Sequence, residues 1–305
     1  MSQINKKQWN FLKKTHSRDN LSQAYLFVGP EDVGKFDLAI DFIGLVNELK
    51  SSQWVQQGQN PDVFLVKPVV EKKSGKIRKK DISIEQIKEV AQKLKYYAYQ
   101  EKFKVLVVKE AQRMTHVAAN SLLKTIEEPS KDLMIILVSD NEQQILSTIK
   151  SRCQIVRFGL AQKEKIKKHL KKSFSSQQEG FLDDCVALSG GRVRLAQNFA
   201  NDKELFEQFS QIRDDFRTAL KGGLLNGLKL SEEHSADREK LLQSMSCWIQ
   251  YLRDFLVDGL VRGFDKNVSK KVFYMLEELI ELRSQIQNTN INQRVQLENF
   301  FVKIS

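Results

Sequence analysis

Short runs rich in apolar and β-branched residues recur along the first half of the chain, at 24–28 (Ala-Tyr-Leu-Phe-Val), 63–67, 103–108 and 133–139. They lack the in-out alternation of a half-exposed strand and read as strands buried on both faces. Between them the apolar positions switch to helical spacing. One helix is marked by Leu38, Ile40, Phe42, Ile43 and Val46, a second by Ile84, Ile87, Val90, Ala91 and Leu94, and a third by Val117, Ala118, Leu122, Leu123 and Ile126. Strand alternating with helix predicts a parallel sheet covered on both sides, an α/β domain over residues 1–158. Ligands of such sheets bind at the carboxyl ends of the strands.

After Phe158 the strand signals stop. A short basic helix over Ala161–Ser173, a break at Gly190 and Gly191, and a helix from Arg192 to Ala200 predict a small helical module at 159–202. From 203 to 305 the periodic runs lengthen. Leu242, Met245, Trp248, Ile249, Leu252, Phe255, Leu256 and Leu260 form one wide stripe, and Val272, Phe273, Leu276, Leu279, Ile280 and Leu282 another. These predict a helical bundle whose stripes are core. No proline follows Pro129, which suits unbroken helices.

The chain of 305 residues has a formal charge of +11, concentrated in two places. Residues 67–80 carry seven Lys or Arg against Glu71, and residues 163–172 carry six Lys against Glu164, which together account for the whole excess. Such clusters attract phosphate polyanions in a salt-dependent way, although a solvated loop and a solvated helix face are the plainer reading. The three cysteines and four histidines are scattered, so neither a metal cage nor a nucleophile with its base is predicted. No run approaches the length of a membrane span, and the first twenty residues are too polar for a secretory signal, so a cytoplasmic protein is expected.

The candidate chemistry lies in a loop. Gly29, Pro30, Glu31, Asp32, Val33, Gly34 and Lys35 follow the phosphate-loop pattern, in which backbone N–H groups at a helix N-terminus cradle an anion and the lysine adds a point charge. A tight strand-to-helix turn with Lys35 in solvent is the alternative. The next residue in that pattern is a Ser or Thr that ligates Mg²⁺, and here it is Phe36. The strand ending at Val108 continues into Lys109 and Glu110, so a lysine stands where an acid near the metal is expected. A second candidate is Arg152, in Ser151-Arg152-Cys153 between an apolar helix through Ile145 and Ile149 and the strand-like 154–158. An arginine on such a perch can serve a phosphate bound by a neighbouring subunit, or simply make a surface ion pair.

In this order the pieces resemble the clamp-loader subunits of the AAA+ class, nearest to the delta-prime type of bacterial DNA polymerase III. The resemblance is carried by Ala24-Tyr25-Leu26-Phe27 with the Gly29 loop, by the helix Asn120-Ser121-Leu122-Leu123-Lys124-Thr125-Ile126-Glu127-Glu128-Pro129, and by Ser151-Arg152-Cys153, which begins 22 residues after Pro129. Gly191-Arg192-Val193-Arg194 and the terminal Asn290-Ile291-Asn292 with Leu297-Glu298-Asn299 extend it. It implies an AAA+ P-loop α/β domain (1–158), a small helical lid (159–202) and an all-α collar (203–305) that joins five subunits in a ring. It further implies that Arg152 is an arginine finger offered in trans, and that Arg194 with Gly29, Gly34 and Lys35 outlines a vestigial nucleotide site. The implied partners are motor (gamma/tau) and delta subunits, the sliding clamp and primer-template DNA, without a membrane.

The implied role is a stator that hydrolyses no ATP, requires no cofactor and leaves residual ATP or ADP binding open. A motor-type ATPase and a free-standing nucleic-acid-binding protein are the alternatives. Relatives carry four zinc-binding cysteines in an insert whose counterpart here, Ser51 to Asp62, has none, so zinc is not expected. Asn60-Pro61-Asp62 reads as the stub of that insert, and the basic loop at 67–80 is left without a role.

Overall fold

The computed structural model describes residues 4–18, 20–49, 60–73, 76–94, 101–289 and 291–304. The zinc-insert counterpart up to residue 59, and Asn290 in the terminal motif, lie outside the described residues. The chain divides into two compact units, one of Met1–Ser176 with Gly191–Gln197, the other of Gln177–Gly190 with Asn198–Ser305. The 159–202 segment contributes to both.

The first unit is built on five parallel strands, β1 (Ala24–Val28), β2 (Val63–Val66), β5 (Lys104–Lys109), β6 (Leu133–Ser139) and β7 (Gln154–Arg157), in the order β2-β5-β6-β1-β7. Successive side chains in a strand point to opposite faces. Ala24, Leu26 and Val28 therefore join one core with Leu106, Val108, Leu133, Ile135 and Leu137, while Tyr25 and Phe27 join the other with Val105, Val107, Met134 and Ile136. Helices α1 (Lys6–Ser17) and α2 (Lys35–Val46) cover the Tyr25 face. The opposite face is covered by α3 (Ile84–Lys93), α4 (His116–Glu127) and the short α5 (Ser147–Lys150). Strand β2 is only partly buried, as befits an edge, so the expectation of burial on both faces holds for the central strands and not for this one.

The basic segment expected as a loop is instead an antiparallel pair of strands, β3 (Val70–Lys73) and β4 (Lys76–Lys79), which among the described residues pairs with no other strand. Its β-branched Val69 and Val70 gave too short a run to be read as a strand among so many lysines. Asn60 and Asp62 do more than mark a stub. The Asn60 carboxamide oxygen accepts from Asp62 N at 2.9 Å and the Asp62 carboxylate accepts from Glu101 N at 3.0 Å, which ties the start of β2 to the segment leading into β5. The basic helix α6 (Lys163–Ser173) buries Ile166 and Leu170 and leaves most of its lysines exposed.

In the second unit, α7 (Glu179–Ser189) precedes four longer helices, α9 (Lys203–His234), α10 (Arg238–Arg262), α11 (Lys266–Asn288) and α12 (Gln293–Ile304). A further helix, α8 (Val193–Asn201), begins in the first unit and ends in the second. The bundle core centres on Trp248 stacked on Phe216 at 4.9 Å, with the indole donating to Ile212 O at 3.1 Å. Helix α9 is not unbroken: Gly223 (φ 70°) interrupts it, so glycine supplies a break that the lack of proline argued against. The stripes are core for most of their length, but Phe255, Leu260, Phe273 and Ile280 face solvent.

Candidate functional site: two cationic loops of the sheet unit

Strand β1 ends at Val28 and the chain turns through Gly29 (φ 149°) to Gly34 (φ 88°), the residue before α2. A Cβ on Gly29 would meet the Phe158 carbonyl oxygen at 2.3 Å, so both the backbone angle and the neighbouring chain demand glycine here. Lys35, the first residue of α2, is only 4% exposed and does not reach solvent as the plainer reading had it. Its ammonium donates to Gly29 O at 2.7 Å, to Pro30 O at 2.5 Å and to Asp140 Oδ1 at 2.7 Å. An ammonium has three protons, and all three are used within the protein.

Asp140 follows β6 and is itself held. Its Oδ2 accepts from the Gln112 carboxamide at 3.2 Å, and its backbone N–H donates to Gln112 Oε1 at 3.2 Å. Sequence reading missed Asp140 because it lies 105 residues from Lys35 and belongs to no loop motif. The parallel sheet alone brings them together, since β1 and β6 are adjacent and both end on this edge.

Phe36 and Lys109, the two departures from a metal site, meet each other. The Lys109 ammonium sits over the Phe36 ring at 5.3 Å from its centroid, a cation–π contact. The ring also packs against the core under α2. Neither side chain offers an oxygen to a cation. Glu110, in the left-handed region at φ 55°, turns away and binds the Lys79 ammonium with both carboxylate oxygens at 3.1 Å.

A third carboxylate lines the loop. Burial lifts the Asp32 carboxyl above its ordinary value, with the nearby Arg192 drawing it back down and the Asp140 charge adding to the rise. Asp32 also has a positive φ of 59°, and its carbonyl accepts from Arg194 N at 2.8 Å. The Arg194 guanidinium lies 3.5 Å from Asp37, in the first turn of α2. The structure thus gathers Gly29, Gly34, Lys35 and Arg194 around one loop.

Arg152 belongs to a different loop, after α5. Its Nη1 donates to Thr148 O at 3.1 Å and to Ser151 Oγ at 3.3 Å, and its Nη2 lies 2.9 Å from Glu127 Oε1 at the end of α4. The arginine and glutamate side chains are 42% and 45% exposed. Cys153 packs on the core beneath, and burial pushes its thiol up to about 12, so it anchors the loop as an inert apolar group.

Among the described residues no cluster of His, Cys, Asp or Glu is arranged to hold a metal ion, and no helix is long and apolar enough to cross a membrane. These features define a parallel α/β unit with a phosphate-loop turn and a separate surface arginine. The sequence profile described as "DNA polymerase III, delta subunit" matches residues 4–162, and the chain belongs to that family. It is 27% identical over 308 residues to DNA polymerase III subunit delta' of Pseudomonas aeruginosa, covering 92% of this chain and 91% of that protein. It is 32% identical over 180 residues to DNA polymerase III subunit delta' of Bacillus subtilis, covering 56% of this chain and 52% of the relative. A solved structure of a single-substitution variant of Thermotoga maritima RuvB shares the fold at a TM-score of 0.52 with 14% identity, over 82% of this chain and 86% of that one.

Proposed function

We propose that this chain is the non-hydrolysing stator of a clamp loader, the delta-prime counterpart that offers Arg152 to a nucleotide on a neighbouring motor subunit. Its partners are motor (gamma/tau) and delta subunits in a five-membered ring, and the assembly places the sliding clamp on primer-template DNA. Arranged as three domains, the α/β domain (1–158), lid (159–202) and collar (203–305) give Arg152 its place at a subunit boundary. No cofactor is needed by the chain itself, and zinc has no role in it.

The observation that carries this reading is the contrast between the two cations. Lys35 is buried and has all its protons engaged, so a phosphate must first displace Asp140. Mg²⁺ fares no better, because Lys109 over Phe36 supplies a positive charge and a hydrocarbon ring where the ion needs oxygens. Phosphoryl transfer depends on charge neutralisation by metal and cations. With both positions filled by the protein's own groups, residual ATP or ADP binding is weak and turnover is absent. Arg152, by contrast, keeps its guanidinium near the surface on a loop fixed by Cys153 and α5.

The test is ATP turnover, first by the purified chain, then on adding it to motor and delta subunits with clamp and primed DNA. The expected result is none from the chain alone and restored clamp loading by the complex. Metal-dependent turnover by the chain alone favours a motor-type ATPase and overturns the proposal.

A further inference from the structure

Val69 and Val70, at the start of the basic hairpin β3–β4, are 48% and 57% exposed, and among the described residues the hairpin adds none to either core of the sheet unit. A lone two-stranded hairpin is marginal in water, so this one relies on its root. There Lys79 is bound by Glu110, the Arg113 guanidinium donates to Lys79 O at 2.6 Å, Lys80 pairs with Glu71 at 2.6 Å, and the Gln86 carboxamide donates to Lys67 O at 3.1 Å. The root is therefore both fixed and neutralised. Beyond it the sequence from Lys72 to Arg78 holds four cations and no acid.

Register sharpens the point. Lys73 stands directly opposite Lys76, and Lys72 opposite Ile77. Like charges opposite one another destabilise a strand pair. At strand spacings of about 3.3 Å along and 5 Å across, the backbone positions of these four cations fall within about 10 Å. The pleat assigns position 72 to one face of the ribbon and positions 73, 76 and 78 to the other. A ribbon that carries cations at positions of both faces and is held at its base fits a double-helical groove, which admits a two-stranded β-ribbon between two walls of phosphate.

We propose that this hairpin is a sequence-independent contact for the backbone of duplex nucleic acid, with the Lys72–Arg78 cations against phosphates. The inference deepens the clamp-loader reading by giving the DNA a point of contact on this chain, and its failure is separable from that reading. Each phosphate neutralised adds about 0.9 to the slope of log affinity against log salt.

The experiment measures fluorescence anisotropy of labelled primer-template DNA with the full chain and with Lys72→Gln/Lys73→Gln/Lys76→Gln/Arg78→Gln. The slope is expected to fall by about 2–4 and low-salt affinity by at least about tenfold. Thermal melting, measured alongside, is expected to change little, so that lost binding is distinguished from lost folding. A companion variant in α6, Lys163→Gln/Lys165→Gln/Lys168→Gln/Lys172→Gln, is expected to keep most of the affinity. An unchanged slope in the hairpin variant overturns the proposal. So does loss of binding in the α6 variant alone, or normal DNA binding joined to failed assembly with the motor subunits, which assigns the hairpin to an acidic protein partner. DNA-independent ATPase of the assembled complex reports on the stator reading separately: it should survive the hairpin changes and fail with Arg152→Ala.

Discussion

Lys35 and Arg152 are both cations on loops of one sheet unit, each paired with a carboxylate brought from elsewhere in the chain, Asp140 and Glu127. They differ in what surrounds the pair. Lys35 has lost its water and has three short contacts in exchange, so removing any partner leaves a buried charge uncompensated. Arg152 and Glu127 are each more than two-fifths exposed, and an ion pair of that kind contributes only about 0–1 kcal/mol. The first pair is a closed structural joint. The second is a resting place that a better anion can empty. The same motif inventory, a lysine loop and an arginine loop, thus separates into a site turned inward and a site turned outward.

The largest expected effect falls on the outward one. If Arg152 is the transition-state cation proposed above, Arg152→Ala should lower turnover at the neighbouring motor's nucleotide by about 10³ or more, with assembly of the complex unaffected. An unchanged ATPase rate in the reconstituted complex defeats the finger assignment. Lys35→Met should do the opposite. It strands Asp140 and two carbonyls, costing about 1–3 kcal/mol in urea unfolding of the chain, yet leaves the complex's ATPase close to wild type at a temperature where the variant is folded. If Lys35→Met abolished loading as Arg152→Ala does, the division between inward and outward cations would collapse.

Much of this arrangement was legible in the residues. The buried strands, the amphipathic helices and the glycine-bounded loop each follow from a local pattern, because burial on both faces and helical periodicity are written in consecutive residues. Phe36 and Lys109 were visible as departures, since the motif states what each position should hold. That they face each other was not, because the contact joins a helix start to the end of a strand 73 positions on. Asp140 and Glu127 were likewise hidden, as carboxylates whose partners are chosen by strand order and by where α4 ends. The hairpin is not legible because its lysines suggest solvent and its strands lack the apolar alternation that fixes a register.

Glu127→Gln probes the latch on the outward cation. Loss of the carboxylate charge frees Arg152 from a pair that is weak to begin with. Stability should change by no more than about 0.5 kcal/mol, and stimulation of the motor should rise by a factor of up to about 5. A fall in stimulation would mean that Glu127 aims Arg152 instead of parking it, and Glu127→Asp should then restore part of it.

The smallest expected effect belongs to the inward loop and carries a sign. Asp32 has its carboxyl raised above the ordinary value in the folded chain, chiefly by burial. A carboxylate of this kind binds its proton more tightly folded than unfolded, so its cost to stability is absent below the unfolded value and develops as pH rises through the raised one. Asp32→Asn removes that cost and keeps a residue type suited to a φ of 59°. The melting temperature at neutral pH should therefore rise, by about 1–2 °C, with the gain fading when the pH is brought below the ordinary carboxylate range. If the variant is instead less stable at neutral pH, the ionised Asp32 is held by Arg192 more firmly than burial opposes it, and the loop is closed by that pair as well as by Lys35 and Asp140.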